Sequence, residues 1–425
     1  MQTAVTASQA VTPFTTTFEL TTPAEVLATI TARCDACAWN VPGREAVTLR
    51  IALDDRYVAH LPLVRQGVAQ YRVLIGRAAA GHHTVRVDTD LDLTAAELRR
   101  DAAARVEGAR VAPVAAGDAE QTAISLAPFL YARPNTIGRF TDLPVFMWYE
   151  RESTLRGTRY RYSVVFTNED GGTPADRLMA TWGRTTDIEY VYGVEVDGSG
   201  RILTDEIQGP DHEILPFSGT RESRHPLLWV STDNNMVRDT GATRVRYAPA
   251  PVAFELKGIS REAVMDANPW LYELAAQELA REGKIVDDGP PGRGTIPDPR
   301  RFVYVEACGE VGDAAVALEV RADDTWLPSD RGVPEYKIAR DGCFRAAIPV
   351  PASVRSGSLR ALRIAAYRRP RQGEDAIATQ STVRVDRVNT VFMLDEHHRP
   401  GPPLFRWQGP AMIPAGGPPL EIPIP

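Results

Sequence analysis

Apolar and polar positions alternate with period two along most of this chain. From Phe14 to Leu20 threonines alternate with apolar residues, and in Ala46–Leu53 the positions Val47, Leu49, Ile51 and Leu53 alternate with their neighbours. Tyr71–Ile75 and Thr84–Val87 continue the pattern. Successive side chains on a strand point to opposite faces, so this alternation predicts half-buried strands. Turn signals at Pro42-Gly43, Asp54-Asp55 and Gly81 separate them at the spacing of a sandwich. Leu53–Tyr57 reads as a hairpin tip and Gly81–Val87 as a closing strand. Residues 1–93 are therefore expected to form a small β-sandwich. Residues 94–123 turn Ala- and Arg-rich and read as a connector, in which Thr94-Ala95-Ala96-Glu97 predicts the capped start of a short helix.

Residues 124–286 carry strand patterns at Arg159–Thr167, Glu189–Val196 and Leu227–Val230, after a segment running from Leu126 to Glu150. Two helices then close the segment. Ser260 is placed to cap the first, and Asn268-Pro269 ends it and starts the second. In the second, Leu271, Leu274, Ala275 and Leu279 share a face and Gly283 marks the stop. Residues 287–299 (DDGPPGRGTIPDP) read as a linker. Residues 300–396 predict a third β domain, with strands at Phe302–Val305, Ala315–Val320, Phe344–Val350, Leu359–Ala366 and Thr382–Val385. In the Pro-rich arm, 397–425, nine prolines among the last 26 residues forbid a helix or a central strand. The fold class that follows is mainly β: three β-sandwiches, the middle one with two C-terminal helices, and a Pro-rich extended tail.

Composition narrows the classes. Of 425 residues 44% are hydrophobic and 24% charged, a globular balance. A net charge of −7 argues against bulk electrostatic binding of nucleic acid, and no nucleic-acid-binding pattern is present. No stretch reaches the roughly 18 apolar residues of a membrane span. Met1–Thr17 has neither a basic n-region nor an apolar h-region. Lys257, Lys284 and Lys337 are the only lysines among 48 basic residues, as a GC-rich genome would produce, with arginine-rich ion-pair networks of a heat-adapted protein as the alternative. Cys34 and Cys37 form a Cys-x-x-Cys, while Cys308 and Cys343 lie in another segment. One pair per putative domain predicts two structural disulfides and a secreted or cell-surface protein, with four free thiols in the cytoplasm as the alternative.

The densest polar constellation is Thr167–Gly172, then Arg184–Glu189, then Asp211-His212-Glu213, His225 and Asp233-Asn234-Asn235. On a strand Asp187 and Glu189 point to one face. With His212 from a neighbouring segment they form a candidate hard-cation site, for Ca or Mg, or a general acid/base pair. Arg184, Asp211, Glu213, His225, Asp233 and Asn235 are the candidate supporting groups. The alternative is a solvated face on which Asp187 pairs with Arg184 or Arg201.

The opening Leu126–Tyr131, the acidic Asp187-Ile188-Glu189, Val194–Gly198 and the downstream His212 resemble the vacuolar protein sorting-associated protein 62 family and, more distantly, the necrosis-inducing-protein-like family. The resemblance covers at most a third of the chain. It implies a β-sandwich core, and in the second family the matching acidic and histidine side chains hold a divalent cation at a glycolipid surface. Ile188 stands where the families carry Trp, and Thr185-Thr186 where the cation-binding group carries a histidine.

Three functions fit this pattern. The first is a secreted or surface binding protein whose central domain holds a ligand or divalent cation, with flanking β modules for glycan or surface attachment. The second is a metal-dependent hydrolase acting on a glycan or phosphoester. The third is a structural protein that self-associates through its C-terminal arm. Whether the chain is an enzyme stays open at this point.

Overall fold

The computed structural model describes residues 13–99, 103–115, 117, 120–169, 171–287, 289–369 and 381–425. Parts of the expected N-terminal tail, connector, linker and third domain, and Asp170 of the polar cluster, lie outside the described residues. The chain divides into two compact units instead of following the expected boundaries at 123 and 286. The first takes the described residues up to 169 together with 187–255, and the second takes 171–186 and the described residues of 256–425.

In the first unit a nine-stranded sheet absorbs most of the N-terminal sandwich. Its order is Phe14–Leu20, Gly81–Asp90, Thr48–Leu53, Arg56–Pro62, Arg246–Tyr247, Phe129–Tyr131, His225–Val230 and Arg221–Glu222, with Val237–Arg238 added to His225–Val230. The two-residue strand Arg246–Tyr247 joins the N-terminal strands to those of the middle segment: Tyr247 pairs with His60 on one side and with Leu130 on the other. The hairpin tip is where the pattern put it. Asp54 and Asp55 both take positive φ (49° and 62°), the geometry a two-residue turn requires. Asp54 then accepts bonds from the Thr84 amide (2.8 Å) and the His83 ring (2.7 Å).

A three-stranded sheet sets Ala24–Cys34 between Gly67–Ala78 and Ala104–Pro113. The last of these strands lies inside the expected connector. Its burial alternates only weakly: it is an edge strand whose two faces are both mostly half-buried or exposed. A short 3-10 helix, Ala96–Leu98, does begin here, but Thr94 does not cap it: its hydroxyl donates to the Asp90 carbonyl (2.6 Å) and accepts from the Thr48 amide (3.1 Å). A six-stranded sheet, Ile214–Pro216, Ile202–Gln208, Asp187–Val196, Thr158–Phe166, Pro144–Ser153 and Val252–Ala253, completes the unit.

The second unit is a β-sandwich. One sheet runs Gly342–Pro349, Phe302–Glu310, Thr382–Phe392, Trp407–Pro414, the other Thr325–Pro328, Ala314–Ala322, Leu359–Arg368, Leu420–Pro423. Both inner faces meet in one core that includes Val305, Leu318, Leu362, Val385 and Phe344. The arm is part of this sandwich. Trp407–Pro414 and Leu420–Pro423 are edge strands, where proline is tolerated. Phe405, Ile413 and Ile422 are buried in the same core. Of the arm's apolar side chains, Phe405, Ile413 and Ile422 are thus spent within their own unit, while Met412 stays exposed.

The helices Ala263–Ala267 and Trp270–Arg281 also belong to the second unit. Gly283 (φ 68°) ends the longer one as expected. Ser260 does not cap its helix; its hydroxyl donates to Glu306 (2.5 Å). Glu306 is tied in turn to Arg345 (2.9 Å), a fully buried guanidinium that also holds Asp266 (2.8 and 2.6 Å) and the Tyr272 hydroxyl (2.9 Å). A further helix, Ala175–Trp182, ends at Gly183, whose φ of 63° and close approach to Arg345 (2.7 Å from where a Cβ would stand) exclude a side chain. The expected 287–299 linker is a held loop: Gly289 accepts from Arg331, and the Gly292 amide donates to Asp176 and Tyr336.

Both cysteine pairs are bonded, Cys34 to Cys37 and Cys308 to Cys343. Cys308 and Cys343 face each other across the antiparallel pair Phe302–Glu310 and Gly342–Pro349. This is the cysteine state of an oxidising compartment. Among the described residues no helix is long and apolar enough to cross a membrane.

Candidate functional site

The polar cluster is assembled by two short loops, each turned by residues in left-handed conformation, and by the start of one strand. Phe140 and Asp142 (φ 53° and 54°) turn the segment before strand Pro144–Ser153, and Asn235 (φ 55°) turns the loop between His225–Val230 and Val237–Arg238. Asp and Asn occupy this conformation more readily than other non-glycine residues. The turn at Asn235 is fixed locally: its amide donates to the Thr232 carbonyl (3.1 Å), and the Met236 amide donates to the Thr232 hydroxyl (3.0 Å). Asp187 enters as the first residue of strand Asp187–Val196, opposite Phe166.

Asn235 is the hub. It is fully buried, and its Nδ2 lies 2.9 Å from Asp187 Oδ2, 3.1 Å from the Asn168 carbonyl and 3.4 Å from Asp142 Oδ1. Its Oδ1 has no hydrogen-bond partner. Around the hub the Asn168 side chain accepts from the Asp142 amide (2.7 Å) and the hydroxyls of Thr141 and Thr167 (3.1 Å each). Arg133, 4% exposed, donates to Asp142 on one side and to Asp233 on the other. Asp233 is the solvent end of the chain, with 60% of its side chain exposed. Asp142 and Asp187 are 3% and 1% exposed.

The sequence-derived candidates fall into different settings. Asp187, Asp233 and Asn235 are brought into this cluster. Glu189, also buried, lies two residues along the same strand, opposite Val164. His212 is exposed in a left-handed turn (φ 60°), its ring beside Gln208 (3.1 Å) and Asn234 (3.4 Å). Asp211 and Glu213 flank it, both exposed. His225 is fully buried, with Nδ1 on the Ala127 carbonyl (2.8 Å) and Nε2 on Glu25 (2.9 Å), so it ties strands together. Arg184 belongs to the second unit, where it donates to Glu262 (3.3 Å) and to the Thr186 carbonyl. Burial pushes the Glu262 carboxyl up, but Arg184 and Arg340 outweigh it and hold the group below its ordinary range.

Among the described residues no group of three or more His, Cys, Asp or Glu side chains is arranged to hold a metal, so Asp187, Glu189 and His212 do not form such a triad. Asp142, Asn168 and Arg133 are cluster members that sequence spacing did not single out. The available signal was modest: Arg133 and Asp142 bracket a turn-rich run, Pro134–Thr141, that ends just before a strand.

No family model matches the sequence, and no curated protein does. A solved structure titled "NLPPya in complex with mannosamine" aligns over 40% of this chain and 82% of its own, with 10% identity and a TM-score of 0.25. A likeness at that score carries no argument about this protein.

Proposed function

We propose that this is a secreted or cell-surface binding protein whose first unit is organised by a divalent cation at the Asn235 hub. One observation carries the reading: three oxygens, from Asp142, Asp187 and the Asn168 carbonyl, converge on the Asn235 side-chain nitrogen, and the amide oxygen of the same side chain has no partner. An amide turned about its last bond exchanges Oδ1 for Nδ2. Turned in this way, Asn235 adds its own oxygen to those of Asp142, Asp187 and Asn168, making four for a single ion. Carboxylate, carbonyl and amide oxygens without nitrogen or sulfur form a hard-cation donor set, suited to Ca or Mg. A bound ion would relieve the repulsion of the two carboxylates and fix the Phe140–Asp142 and Thr232–Met236 turns. The burial of Asp142 and Asp187 favours binding over hydrolysis, because neither carboxylate meets a solvent-borne substrate directly. Glycan or surface attachment is the role we assign to the β modules around the site.

Calorimetric titration of chelator-stripped full-length protein with Ca and with Mg tests the reading. One ion per chain is expected, with a rise in melting temperature, and binding weakened at least about tenfold in Asp187→Asn, which keeps the shape and removes the charge. Neither heat nor a melting shift at millimolar Ca or Mg in the unmodified protein ends the cation reading. A glycan array probed with and without the ion then tests the ligand class.

A further inference from the structure

At one end of the C-terminal sandwich three segments enclose a cleft of about 620 Å³, within the usual range for a small-molecule site. They are the turn that opens strand Phe302–Glu310, the loop between Gly342–Pro349 and Leu359–Arg368, and the connection from Thr382–Phe392 to Trp407–Pro414. The walls are fastened before any ligand arrives. The Val350 amide donates to the Arg301 carbonyl (2.9 Å), Gly401 to Met393 (2.9 Å) and Leu404 to Val391 (2.7 Å).

The lining divides by chemistry. Val354, Met393, Leu394 and Leu404 supply an apolar surface, and Arg300, Arg301 and Arg355 bring three guanidinium groups to it. Two of these cations are neutralised. Arg300 is held bidentate by Asp298 (2.9 and 2.6 Å), and Arg301 pairs with Asp287 (2.5 Å). Arg301 Nε is nevertheless buried without a hydrogen-bond partner. Arg355 differs. Its Nη1 is braced by the carbonyls of Ala352 and Val354, neutral acceptors that orient the guanidinium without cancelling its charge. Among the described residues no carboxylate pairs with it. The three acidic residues of the lining are engaged elsewhere: Asp298 holds Arg300, Glu396 lies 3.7 Å from the His397 ring, and Asp395 accepts the backbone amides of His397 (2.9 Å) and Arg399 (2.8 Å).

An oriented, uncompensated guanidinium at the edge of an apolar cleft is complementary to an anion with an apolar body. We infer that the cleft binds an amphipathic carboxylate, a medium-chain fatty acid in chemical class. The carboxylate lies on Arg355 and the chain on Met393, Leu394 and Leu404. Arginine suits this role because its fork pairs bidentately with a carboxylate. The site lies within the second unit and is separate from the Asn235 hub.

Octanoate and octan-1-ol, which share the chain but not the charge, are the probes, titrated into the full-length protein by calorimetry. Octanoate is expected to bind saturably at one per chain, and octanol about tenfold or more weaker, the factor a charged hydrogen bond contributes. Arg355→Gln should bring octanoate down to the octanol level. Ser356→Trp, at an exposed position on the rim, should block both ligands by filling the mouth. Three results each overturn the inference: no saturable octanoate binding, octanol matching octanoate on the unmodified protein, or octanoate binding unchanged in either variant. Arg355 and Ser356 are both exposed, so neither substitution threatens the core.

Discussion

Single side chains in this protein act mostly as ties, and Arg345 is the most committed of them. It is fully buried against Glu306, Asp266 and Tyr272. Removing one partner of a buried ion pair leaves a charge stranded in low dielectric, at a cost of about 3–5 kcal/mol. Arg345→Met is therefore expected to destabilise the C-terminal unit by that amount in urea unfolding. The double change Arg345→Met with Glu306→Leu should recover a large part of it, since the remaining partner, Asp266, is 29% exposed and can be hydrated. A single-variant loss below about 1 kcal/mol would show that water or relaxation neutralises Glu306, against its 1% exposure.

The same scale explains what the sequence reveals of the candidate site. Asp187, Asp233 and Asn235 stand out because polar residues crowd into short segments. Period two correctly puts Asp187 and Glu189 two apart on one strand. It cannot choose which histidine or amide comes in from another loop. That choice depends on left-handed turns at Asp142 and Asn235, and a turn that folds back over dozens of residues leaves no local spacing signal. His225 illustrates the limit: it reads like a ligand in sequence and is a buried strand tie in the fold.

At the scale of elements strands stand where the sequence pattern put them in Thr48–Leu53 and in all five segments read between 300 and 396, although Thr48–Leu53 and Phe302–Glu310 are buried on both faces. The pattern missed Ala104–Pro113, an edge strand with little contrast between faces, and the helix Ala175–Trp182, too short for periodicity to speak. That helix did announce its ends through Pro174, Asp176 in the first turn and Gly183. The proline-rich segment after Arg399 was legible as extended and edge-seeking; its destination was not, because the strands it joins come from far earlier in the chain. Truncation after Arg399 removes the buried Phe405, Ile413 and Ile422. At about 1.5–3 kcal/mol for each large apolar side chain, the loss of about 5–9 kcal/mol rivals the whole stability of a domain. It also bares the edges of Thr382–Phe392 and Leu359–Arg368, which invites aggregation. Calorimetry of the truncated chain should show the C-terminal transition lowered steeply or gone. An unchanged transition would mean that these edge strands contribute nothing to the sandwich.

For the molecule as a whole, the weightiest feature is a strand of two residues. Arg246–Tyr247 pairs with Arg56–Pro62 on one side and Phe129–Tyr131 on the other, and Arg246 also reaches Glu222 (2.7 Å) and the Val58 carbonyl (2.5 Å). Residues 13–113 therefore lack a seam of their own and cannot be excised as a portable cassette. Expressed alone, the 1–115 segment would display an open strand edge along Arg56–Pro62 and is expected to precipitate. Produced alongside the remainder of the chain as a separate polypeptide, it should be rescued and co-purify, behaving as a split protein whose two pieces find each other without a covalent bond. Sedimentation of the lone piece as a well-behaved monomer would overturn this. The native pairing makes the junction a ready-made reporter scaffold, in which reassembly reads out the folding of both pieces at once.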